Sequence, residues 1–443
     1  MVSDRHRSVD IFTPNEFPLW TYVERKQNFE RQVMNGLNTP NIIISVSGPS
    51  KSGKSVLLQK VVGKDYLIRV FGPQINTVDG VWGAVLNWIE SPSATSRQIT
   101  TTSAASTKSV GQASLSLPGV GGLGGKYETA DSSASARTYG LTHERAGLIQ
   151  VKREIANSDF VVFIDDFHYM PRELQVDVAK QLKAAAELGI KICTASVPHR
   201  SDDIVRANAE LRGRVLAVDM NYWTQPELIR IAQEGFPFLN MVVDQGFMAR
   251  LALEACGSPQ LMQSLCLQTC SGSNINETEE TEKFFAFQEA ELKKILEATS
   301  ALADFSTLVE TMHIGPKSRG QDRNQYPFID GTTGDVYRAV LMAIADGPPA
   351  MSFPYHELLS RVRKVCADPD KVPVGSSISE ACSQLDKIAK KSVETDTGVQ
   401  GLPPVEWDTT ADVENLHVAE PYFLFYLRAS SKLKNLGVIR QHA

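Results

Sequence analysis

Apolar residues in the first half of the chain form short β-branched runs, and runs with helical spacing lie between them. The short runs predict buried parallel strands, and they cover residues 42–47, 66–71, 160–164, 190–195 and 214–219. The helical spacing predicts helices over residues 23–37, 54–62, 78–89, 143–156 and 172–188. Strands that alternate with helices in this way predict a parallel α/β sheet.

The second half of the chain has a different pattern. From Pro226 to about residue 310 the spacing predicts only helices, interrupted by Gly-Ser-Pro at 257–259. A polar loop then precedes three helical patterns at 336–345, 355–366 and 377–391. The strand-like segments VEWD and LHVAE and the apolar helix YFLFYLR complete the pattern. Three helices followed by a two-stranded hairpin predict a winged helix.

Residues 91–140 interrupt the α/β alternation, and about half of them are Ser, Thr or Gly. Such a segment buries too little apolar surface to offset its ordering entropy, so we expect a flexible insertion. The stretch QASLSLPGVGGLGGKYE within it alternates briefly around a Pro-Gly turn. A hairpin that serves oligomer contact or ligand binding is the alternative for this stretch.

Composition places the chain among ordinary globular proteins. Of its 443 residues 42% are hydrophobic and 22% charged, and the net charge of -6 argues against a dominant nucleic-acid surface. The six cysteines form no CxxC pair, which favours reduced and mostly buried thiols. Neither an apolar signal core at the N-terminus nor 18 consecutive apolar residues is present. The sequence therefore predicts a cytoplasmic location without a membrane segment.

The octapeptide GPSKSGKS after the first predicted strand carries the most specific chemistry. Glycines let backbone N–H groups turn toward phosphate oxygens, and the following helix directs its positive end there. Lys54 is then expected to reach the β- and γ-phosphates, and the Ser55 hydroxyl to bind Mg²⁺. The expected nucleotide-binding residues of this turn are Gly48, Ser50, Ser52, Gly53, Lys54, Ser55 and Val56.

A second motif, FVVFIDDFHYM, is an apolar strand that ends in two carboxylates. Asp165 at the strand end is expected to hold Mg²⁺ through water together with Ser55. Asp166 can accept a proton from the attacking water or orient it. Aspartate is one methylene shorter than the commoner glutamate, so slow hydrolysis suited to a switch is the expectation. A capped strand end without catalytic role is the alternative.

With these two motifs the chain resembles P-loop ATPases of the AAA+/STAND group, especially initiator-like ATPases related to origin-recognition proteins and archaeal-type ATPases. The resemblance covers most of residues 10–430, and its specific part is the two phosphate-site motifs. It implies a three-layer α/β P-loop core, then a helical lid and a C-terminal winged helix, with ATP and Mg²⁺ as cofactors. The implied domains are an adenine-side segment at 1–40, the core at 41–222, the lid at 223–315 and the winged helix at 330–430.

The resemblance also implies roles for residues outside the two motifs. Ser196 falls where these families place a polar residue that senses the γ-phosphate, although a capping serine is the alternative. Arg212 and Arg214 fall where the families carry arginine fingers, which act on a neighbouring subunit's site. Two surface arginines at the start of a strand are the alternative.

Two further segments resemble the adenine side and the lid. Tyr22 and Val23 are expected to contact adenine, with docking of this segment on the sheet as the alternative. Pro259 belongs to the lid motif GxP, which is followed by Gln260 where arginine often occurs. That departure weakens a charged lid contact to the γ-phosphate and leaves lid packing as the role of the motif.

The leading functional interpretation is an ATP-binding, slowly hydrolysing switch that forms homo-oligomers and signals through an effector or sensor protein. In prokaryotes the resemblance implies a setting in antiviral defence. The alternative is an initiator- or transposition-regulator-type ATPase that loads on duplex DNA through the winged helix, where Lys387, Lys390 and Lys391 lie on the predicted recognition helix. A nucleotide-binding scaffold without hydrolysis is a third interpretation.

Overall fold

A five-stranded parallel sheet is the centre of the first half of the chain. The computed structural model describes residues 5–91, 94–101, 137–144, 147–197, 208–317, 322–397, 403–409 and 413–439. The strand order in this sheet is β2-β5-β6-β1-β7. All five predicted strands are confirmed, each beginning one residue later than predicted, and their bounds are Ile43–Ser47 (β1), Leu67–Phe71 (β2), Val161–Asp165 (β5), Lys191–Ser196 (β6) and Val215–Asp219 (β7).

Helices cover both faces of this sheet. One apolar cluster contains Val85, Val151 and Leu182 and packs three helices on one face. A second cluster contains Val33 and Leu58 and packs two helices on the other face, which gives the predicted three layers. The helices of this half are Ser8–Ile11 (α1), Phe29–Leu37 (α2), Lys54–Val62 (α3), Val78–Trp88 (α4), Gly147–Ile155 (α5) and Arg172–Glu187 (α6).

Two helix starts differ from the prediction. The helix expected from residue 23 begins at Phe29, because Asn28 adopts a left-handed conformation (φ 50°) and the preceding segment leaves the helix axis. Val23 is instead buried in a cluster with residues of the later helices. The helix expected from residue 143 begins at Gly147, since residues 143 and 144 belong to a strand.

Paired strands flank the segment that was expected to be a flexible insertion. Ala94–Thr101 (β3) and Arg137–Glu144 (β4) pair antiparallel over eight residues each, from Ala94 opposite Glu144 to Thr101 opposite Arg137. The expectation of a loop across 91–140 is therefore wrong at both of its ends. The predicted hairpin at 112–128 lies outside the described residues.

The region after the sheet is helical but also contains two short strands. Met241–Val243 (β8) and Lys283–Phe285 (β9) pair in parallel, so the expectation of helices alone is wrong here. A three-residue strand carries too little periodicity to be recognised in a sequence. The helices are Gln225–Gly235 (α7), Gln245–Glu254 (α8), Pro259–Gly272 (α9), Glu289–Ser300 (α10) and Ser306–Ile314 (α11).

The last part of the chain has the predicted order of three helices, a hairpin and a final apolar helix. Ser352–Pro354 (β12), Val405–Asp408 (β13) and Asn415–Val418 (β14) form an antiparallel sheet in the order β12-β14-β13. The winged-helix assignment and the domain limits remain predictions. The helices are Val336–Ala345 (α12), Tyr355–Val365 (α13), Gly375–Thr397 (α14), Pro421–Ala429 (α15) and Lys432–Asn435 (α16).

The C-terminal part contains a second small sheet, which lies beside a buried arginine. Tyr326–Pro327 (β10), Thr332–Gly334 (β11) and Val438–Ile439 (β15) pair in the order β10-β11-β15. Arg338 is fully buried and satisfied there, with Nη2 2.9 Å from Asp330 and Nη1 donating to the carbonyl of Leu433 at 2.7 Å. Burial lowers the pKa of Arg338, and the Asp330 carboxylate opposes that shift.

The helices of residues 225–314 and the C-terminal part share one apolar core. The cluster includes Leu251 and Leu265 of the first region and Phe353 and Phe423 of the second. All six cysteines are buried and free, as the sequence predicted. None of the helices in the described ranges combines the length and the apolar character that crossing a membrane would require.

Candidate nucleotide-binding site

The glycine-rich turn lies between β1 and α3 at the carboxyl edge of the sheet. A Cβ on Gly48 would lie 2.9 Å from the carbonyl oxygen of Met220, so the turn approaches the neighbouring strand more closely than a side chain allows. Gly53 has a φ of +93°, a conformation that favours glycine. α3 begins directly after it at Lys54, and its N–H groups point toward the turn.

Lys54 is a half-buried cation of this turn. Its Nζ donates to the carbonyl oxygens of Gly48 and Pro49, both at 2.8 Å. Burial lowers the pKa of Lys54, while the carboxylates of Asp165 and Asp166 oppose that shift. The half-buried lysine therefore places its charge at the turn, where a phosphate chain is predicted to bind.

Ser55 and Asp165 meet beside the turn, as predicted for a metal site. The Ser55 hydroxyl donates to Asp165 Oδ2 at 3.0 Å. Arg69, which the sequence analysis did not single out, also donates to this oxygen, with Nη2 at 2.5 Å and Nε at 3.1 Å. The Asp165 side chain is 7% exposed, so its charge is balanced chiefly by this arginine.

The residues present fit Mg²⁺. Mg²⁺ prefers oxygen ligands and keeps several waters, so one hydroxyl and one carboxylate beside substrate phosphates are the usual protein contribution. Ser55 and Asp165 supply this pair of oxygens. Among the described residues, no group of three or more His, Cys, Asp and Glu side chains is placed so that it could hold a metal ion.

Asp166 follows Asp165, and its backbone leaves the strand conformation. Its φ is 57° in the left-handed region, which aspartate tolerates better than most residues. Burial raises the pKa of Asp166, the nearby Asp165 adds to the shift, and Lys54 and Arg69 oppose it. Asp166 and Asp165 line the same cavity as the glycine-rich turn, so the predicted base lies near the predicted phosphate position.

Two serine hydroxyls at the site have no hydrogen-bond partner within the described part of the chain. Ser196 ends β6, is 4% exposed and lies opposite Ser47 in the sheet. Ser52 in the glycine-rich turn is 1% exposed. A buried hydroxyl without a partner is costly, so Ser52, which lines the cavity, is suited to bond a ligand atom, whereas Ser196 is not among the residues that line it. The position of Ser196 at the carboxyl edge of the sheet agrees with its predicted role, which stays a prediction.

The N-terminal segment forms one wall of the cavity. Tyr22 donates from its hydroxyl to Glu30 at 2.5 Å, and its ring stacks on Phe17 with centroids 5.8 Å apart. Burial and the Glu30 carboxylate raise the pKa of Tyr22. Val23 lines the cavity and packs into the apolar core of the later helices. Both predicted adenine contacts therefore lie on the cavity of about 440 Å³.

The start of the helical region forms another wall. Trp223 donates from Nε1 to the carbonyl of Ser52 at 2.9 Å, which ties this region to the glycine-rich turn. Pro259 begins α9 and lines the cavity together with Val56 of α3. Gln260 bonds Asn15 of the N-terminal segment through its amide at 2.8 Å. The residue in the place of the usual arginine thus connects two walls of the cavity.

Arg212 and Arg214 lie at the opposite edge of the sheet. Both precede β7, whose first residue, Val215, pairs with Ile43 at the start of β1, whereas the glycine-rich turn follows the end of β1. Arg214 forms an ion pair with Glu187, and Arg212 is exposed. Neither arginine can act on this chain's own site, and a role on a neighbouring subunit remains a prediction.

Glu420 brings the C-terminal part to the glycine-rich turn. Ser50 donates to its Oε2 at 3.1 Å, and the same carboxylate caps α15 through the N–H of Tyr422 at 3.3 Å. Burial raises the pKa of Glu420, while Lys51 and Lys54 oppose that shift. The C-terminal part therefore contacts the residues predicted to hold phosphate.

The sequence analysis missed Arg69, Trp223 and Glu420. A lone charge in the apolar strand LIRVF was the signal for Arg69, and a Glu-Pro helix start was the signal for Glu420. Neither pattern says which distant residue the side chain meets. Trp223 carried no distinguishing signal, because a tryptophan near a helix start is most often part of a core.

The strand order and the glycine-rich turn after β1 define the class of this fold: a P-loop α/β fold of the AAA+ kind, followed by helical regions. The predicted P-loop α/β fold is thereby confirmed.

No family model matches the chain, and no curated protein matches it. It is similar to the solved structures of Cdc6p from Pyrobaculum aerophilum (12% identity, 96% of this chain, 98% of that chain, TM-score 0.40) and of ORC2 from Aeropyrum pernix (10%, 96% and 97%, 0.45). It is also similar to the Walker-type ATPase paby2304 of Pyrococcus abyssi (12%, 92% and 96%, 0.45). The functional argument below rests on the contacts of this chain.

Proposed function

We propose that the chain is an ATP-binding, slowly hydrolysing switch that forms homo-oligomers and acts through an effector or sensor protein. The observation that carries the proposal is one cavity that collects Lys54, Ser55, Asp165 and Asp166 beneath both the N-terminal segment and the helical region. A cavity of this composition suits a triphosphate, because Lys54 and the N–H groups of the turn can bind phosphate and the neighbouring carboxylates can bind a metal.

In this proposal each residue of the chain has one task. The N–H groups of the glycine-rich turn and Lys54 bind the β- and γ-phosphates, and Ser55 and Asp165 hold Mg²⁺. Bound Mg²⁺ supplies charge neutralisation on the phosphates. Asp166 orients the attacking water or accepts its proton, and Ser196 bonds the γ-phosphate. Tyr22 and Val23 contact the adenine, and Pro259 packs the lid over it.

The contact between Glu420 and Ser50 supports a switch over a simple hydrolase. Glu420 carries negative charge to within 3.1 Å of a residue that phosphate would approach. Phosphate and this carboxylate repel each other, so nucleotide binding and docking of the C-terminal part have to influence each other. Signalling in prokaryotic defence is the setting we propose, and it rests on the resemblance alone.

The alternative of loading on duplex DNA has less support. Lys390 forms an ion pair with Asp386 at 2.8 Å on the predicted recognition helix, which reduces the net positive charge of that face. DNA binding that falls steeply with salt and is lost when Lys387, Lys390 and Lys391 are changed to glutamate would favour the alternative.

The test of the chemistry compares Lys54→Ala and Asp166→Asn with the wild type. We expect Lys54→Ala to lose at least about tenfold in ATP affinity by calorimetry, since a cation on the phosphates is removed. Asp166→Asn should keep ATP affinity within about threefold and lose at least about 100-fold in turnover. Unchanged turnover in Asp166→Asn would assign the base elsewhere, and wild-type protein that binds no adenine nucleotide would contradict the proposal.

The test of assembly uses gel filtration with ADP and with a slowly hydrolysed ATP analogue. We expect a larger particle with the ATP analogue alone. Mixing Arg212→Ala/Arg214→Ala subunits with Lys54→Ala subunits should restore part of the turnover, because each partner then supplies the group that the other lacks. A mixture without restored turnover would show that the arginines do not act between subunits.

A further inference from the structure

Arg69 occupies an unusual position for a charged residue. It is the middle residue of β2, and its neighbours Ile68 and Val70 are at most 1% exposed. Its own side chain is 44% exposed and reaches along the sheet surface to Asp165 on β5. The pairing of Phe71 with Asp165 places Arg69 and Asp165 on the same face of the two strands, because side chains two apart along a strand share a face.

The arginine contacts both residues that were predicted to hold Mg²⁺. Two of its nitrogens donate to Asp165 Oδ2, at 2.5 Å and 3.1 Å, and Nη2 lies 3.4 Å from Ser55 Oγ. Its guanidinium carbon lies 4.6 Å from the centroid of the Phe71 ring, which fixes the side chain from the other side. The Ser55 hydroxyl donates to the same carboxylate oxygen at 3.0 Å.

We propose that Arg69 is a positioning residue that competes with Mg²⁺ for Asp165. This inference rests on the proposed nucleotide site. It adds the Arg69 guanidinium to that site as a positive charge supplied by the protein itself. Arg69 holds the carboxylate and the hydroxyl in the geometry that the metal needs, and it has to yield Asp165 Oδ2 when the metal is held there.

The electrostatics of the pair give this competition a direction. Asp165 is largely buried, so its charge beside a phosphate chain is unfavourable unless a cation compensates it. When Arg69 is present, its positive charge compensates that of Asp165 whether or not the metal is bound. Nucleotide affinity then depends little on Mg²⁺. Without Arg69 the compensating charges are the metal and Lys54, whose charge also acts on Asp165. Nucleotide affinity should then fall in the absence of Mg²⁺ and depend more strongly on the metal.

The measured quantity is the coupling ratio, defined as the Kd for ADP with EDTA divided by the Kd for ADP with excess Mg²⁺. ADP is used so that no turnover intervenes, and calorimetry gives both constants. We expect Arg69→Met to raise the coupling ratio by about tenfold, within the usual range of coupling between two sites. Arg69→Lys keeps the charge without the two-nitrogen contact and should give an intermediate ratio.

Two controls isolate the contact. Arg230→Met removes an arginine of similar exposure (47%) that pairs with Glu234 in the helical region, and it should leave the coupling ratio unchanged. In an Asp165→Asn background, Arg69→Met should no longer change the ratio, because the charge over which arginine and metal compete is gone. Thermal melting of each variant confirms that the fold is retained, and Arg69→Lys serves if Arg69→Met fails to fold.

The outcomes separate this inference from the proposed function. Wild-type protein that binds no ADP overturns both. Wild-type binding with the same coupling ratio in Arg69→Met overturns the role of Arg69 and leaves the proposed function standing. A lower ratio in Arg69→Met also overturns it, because the arginine would then assist the metal instead of competing with it.

Discussion

Gly72 lies where β2 leaves the sheet beside the two aspartates. A Cβ at this residue would lie 2.5 Å from the carbonyl oxygen of Asp166 and 3.1 Å from that of Asp165. Both atoms belong to backbone that cannot turn aside as a flexible side chain can. The placement of Asp165 and Asp166 therefore depends on a residue that contributes no chemistry.

We expect Gly72→Ala to lower the free energy of unfolding by about 1–3 kcal/mol, the usual cost of overpacking, and to lower turnover as well. Gly83→Ala is the matched control, because a Cβ there meets nothing within 4 Å in the middle of α4. That control should be neutral or more stable by about 0.5–1 kcal/mol. Urea unfolding measures both, and equal effects of the two substitutions would refute the close-contact argument.

At the scale of single residues, the sequence predicted those site residues whose backbone conformation is set by their immediate neighbours in the chain. Gly53, Lys54 and Ser55 are recognisable because a phosphate turn needs glycine and a following helix at fixed spacing. Arg69 and Glu420 escaped recognition because their partners lie 96 and 370 residues away along the chain. A contact of that kind leaves no local pattern.

Among the elements, those with long apolar patterns were predicted well and those set by distant partners were not. The three inner strands β1, β5 and β6 were found because burial on both faces makes each a largely apolar run, and the edge strands β2 and β7 keep part of that pattern. β8 and β9 pair over three residues each, and their pairing depends on helices that bring them together. The helix predicted from residue 23 begins only at Phe29. The contacts of Arg25 hold the preceding segment away from the helix.

Arg25 connects the N-terminal segment to α7, the first helix after the parallel sheet. Its guanidinium pairs with Glu227 of α7 at 3.2 Å and donates to the carbonyls of Asn221 and Tyr222. The two side chains are 3% and 9% exposed. Glu227 also accepts from the Thr224 N–H at 2.8 Å and so completes the cap of α7. One ion pair thus fixes two elements beside the cavity to each other.

We expect Arg25→Met to lower the free energy of unfolding by about 3–5 kcal/mol, because it leaves Glu227 buried without its partner. Arg25→Met/Glu227→Gln should recover a large part of that loss, since the unpaired charge is removed. Chemical unfolding of both variants gives the comparison. A double variant as unstable as the single one would mean that packing of the arginine stem, rather than charge, holds the two elements together.

In the whole molecule, the phosphate site is contacted by three parts of the chain that are far apart in sequence. The N-terminal segment, the helical region and the C-terminal part each reach the glycine-rich turn or its cavity, through Tyr22, Trp223 and Glu420. Arg428 of α15 holds the last two parts together by pairing with Glu254 at 2.9 Å. A conformational change at the glycine-rich turn therefore alters contacts with all three parts of the chain.

We expect Glu420→Ala to raise affinity for ATP by about three- to tenfold, because a negative charge beside the phosphates is removed. Amide hydrogen exchange in α15 should increase in the same variant, since the cap and the contact to Ser50 are both lost. Glu414→Ala is the control, because Glu414 accepts from Ser379 within the C-terminal part itself. Lower ATP affinity in Glu420→Ala would show that the carboxylate helps to build the site.

Trp223 lies where its fluorescence can report on the cavity. Its indole nitrogen is bonded to the carbonyl of Ser52, and Arg25 lies 5.3 Å from its ring centroid. Of the five tryptophans, all in the described part of the chain, Trp223 is the one that lines the cavity. Its emission should change when a ligand enters, so the unlabelled protein carries an optical probe of occupancy. Replacing Trp223 by phenylalanine would silence that signal while the other four indoles continue to report on the fold.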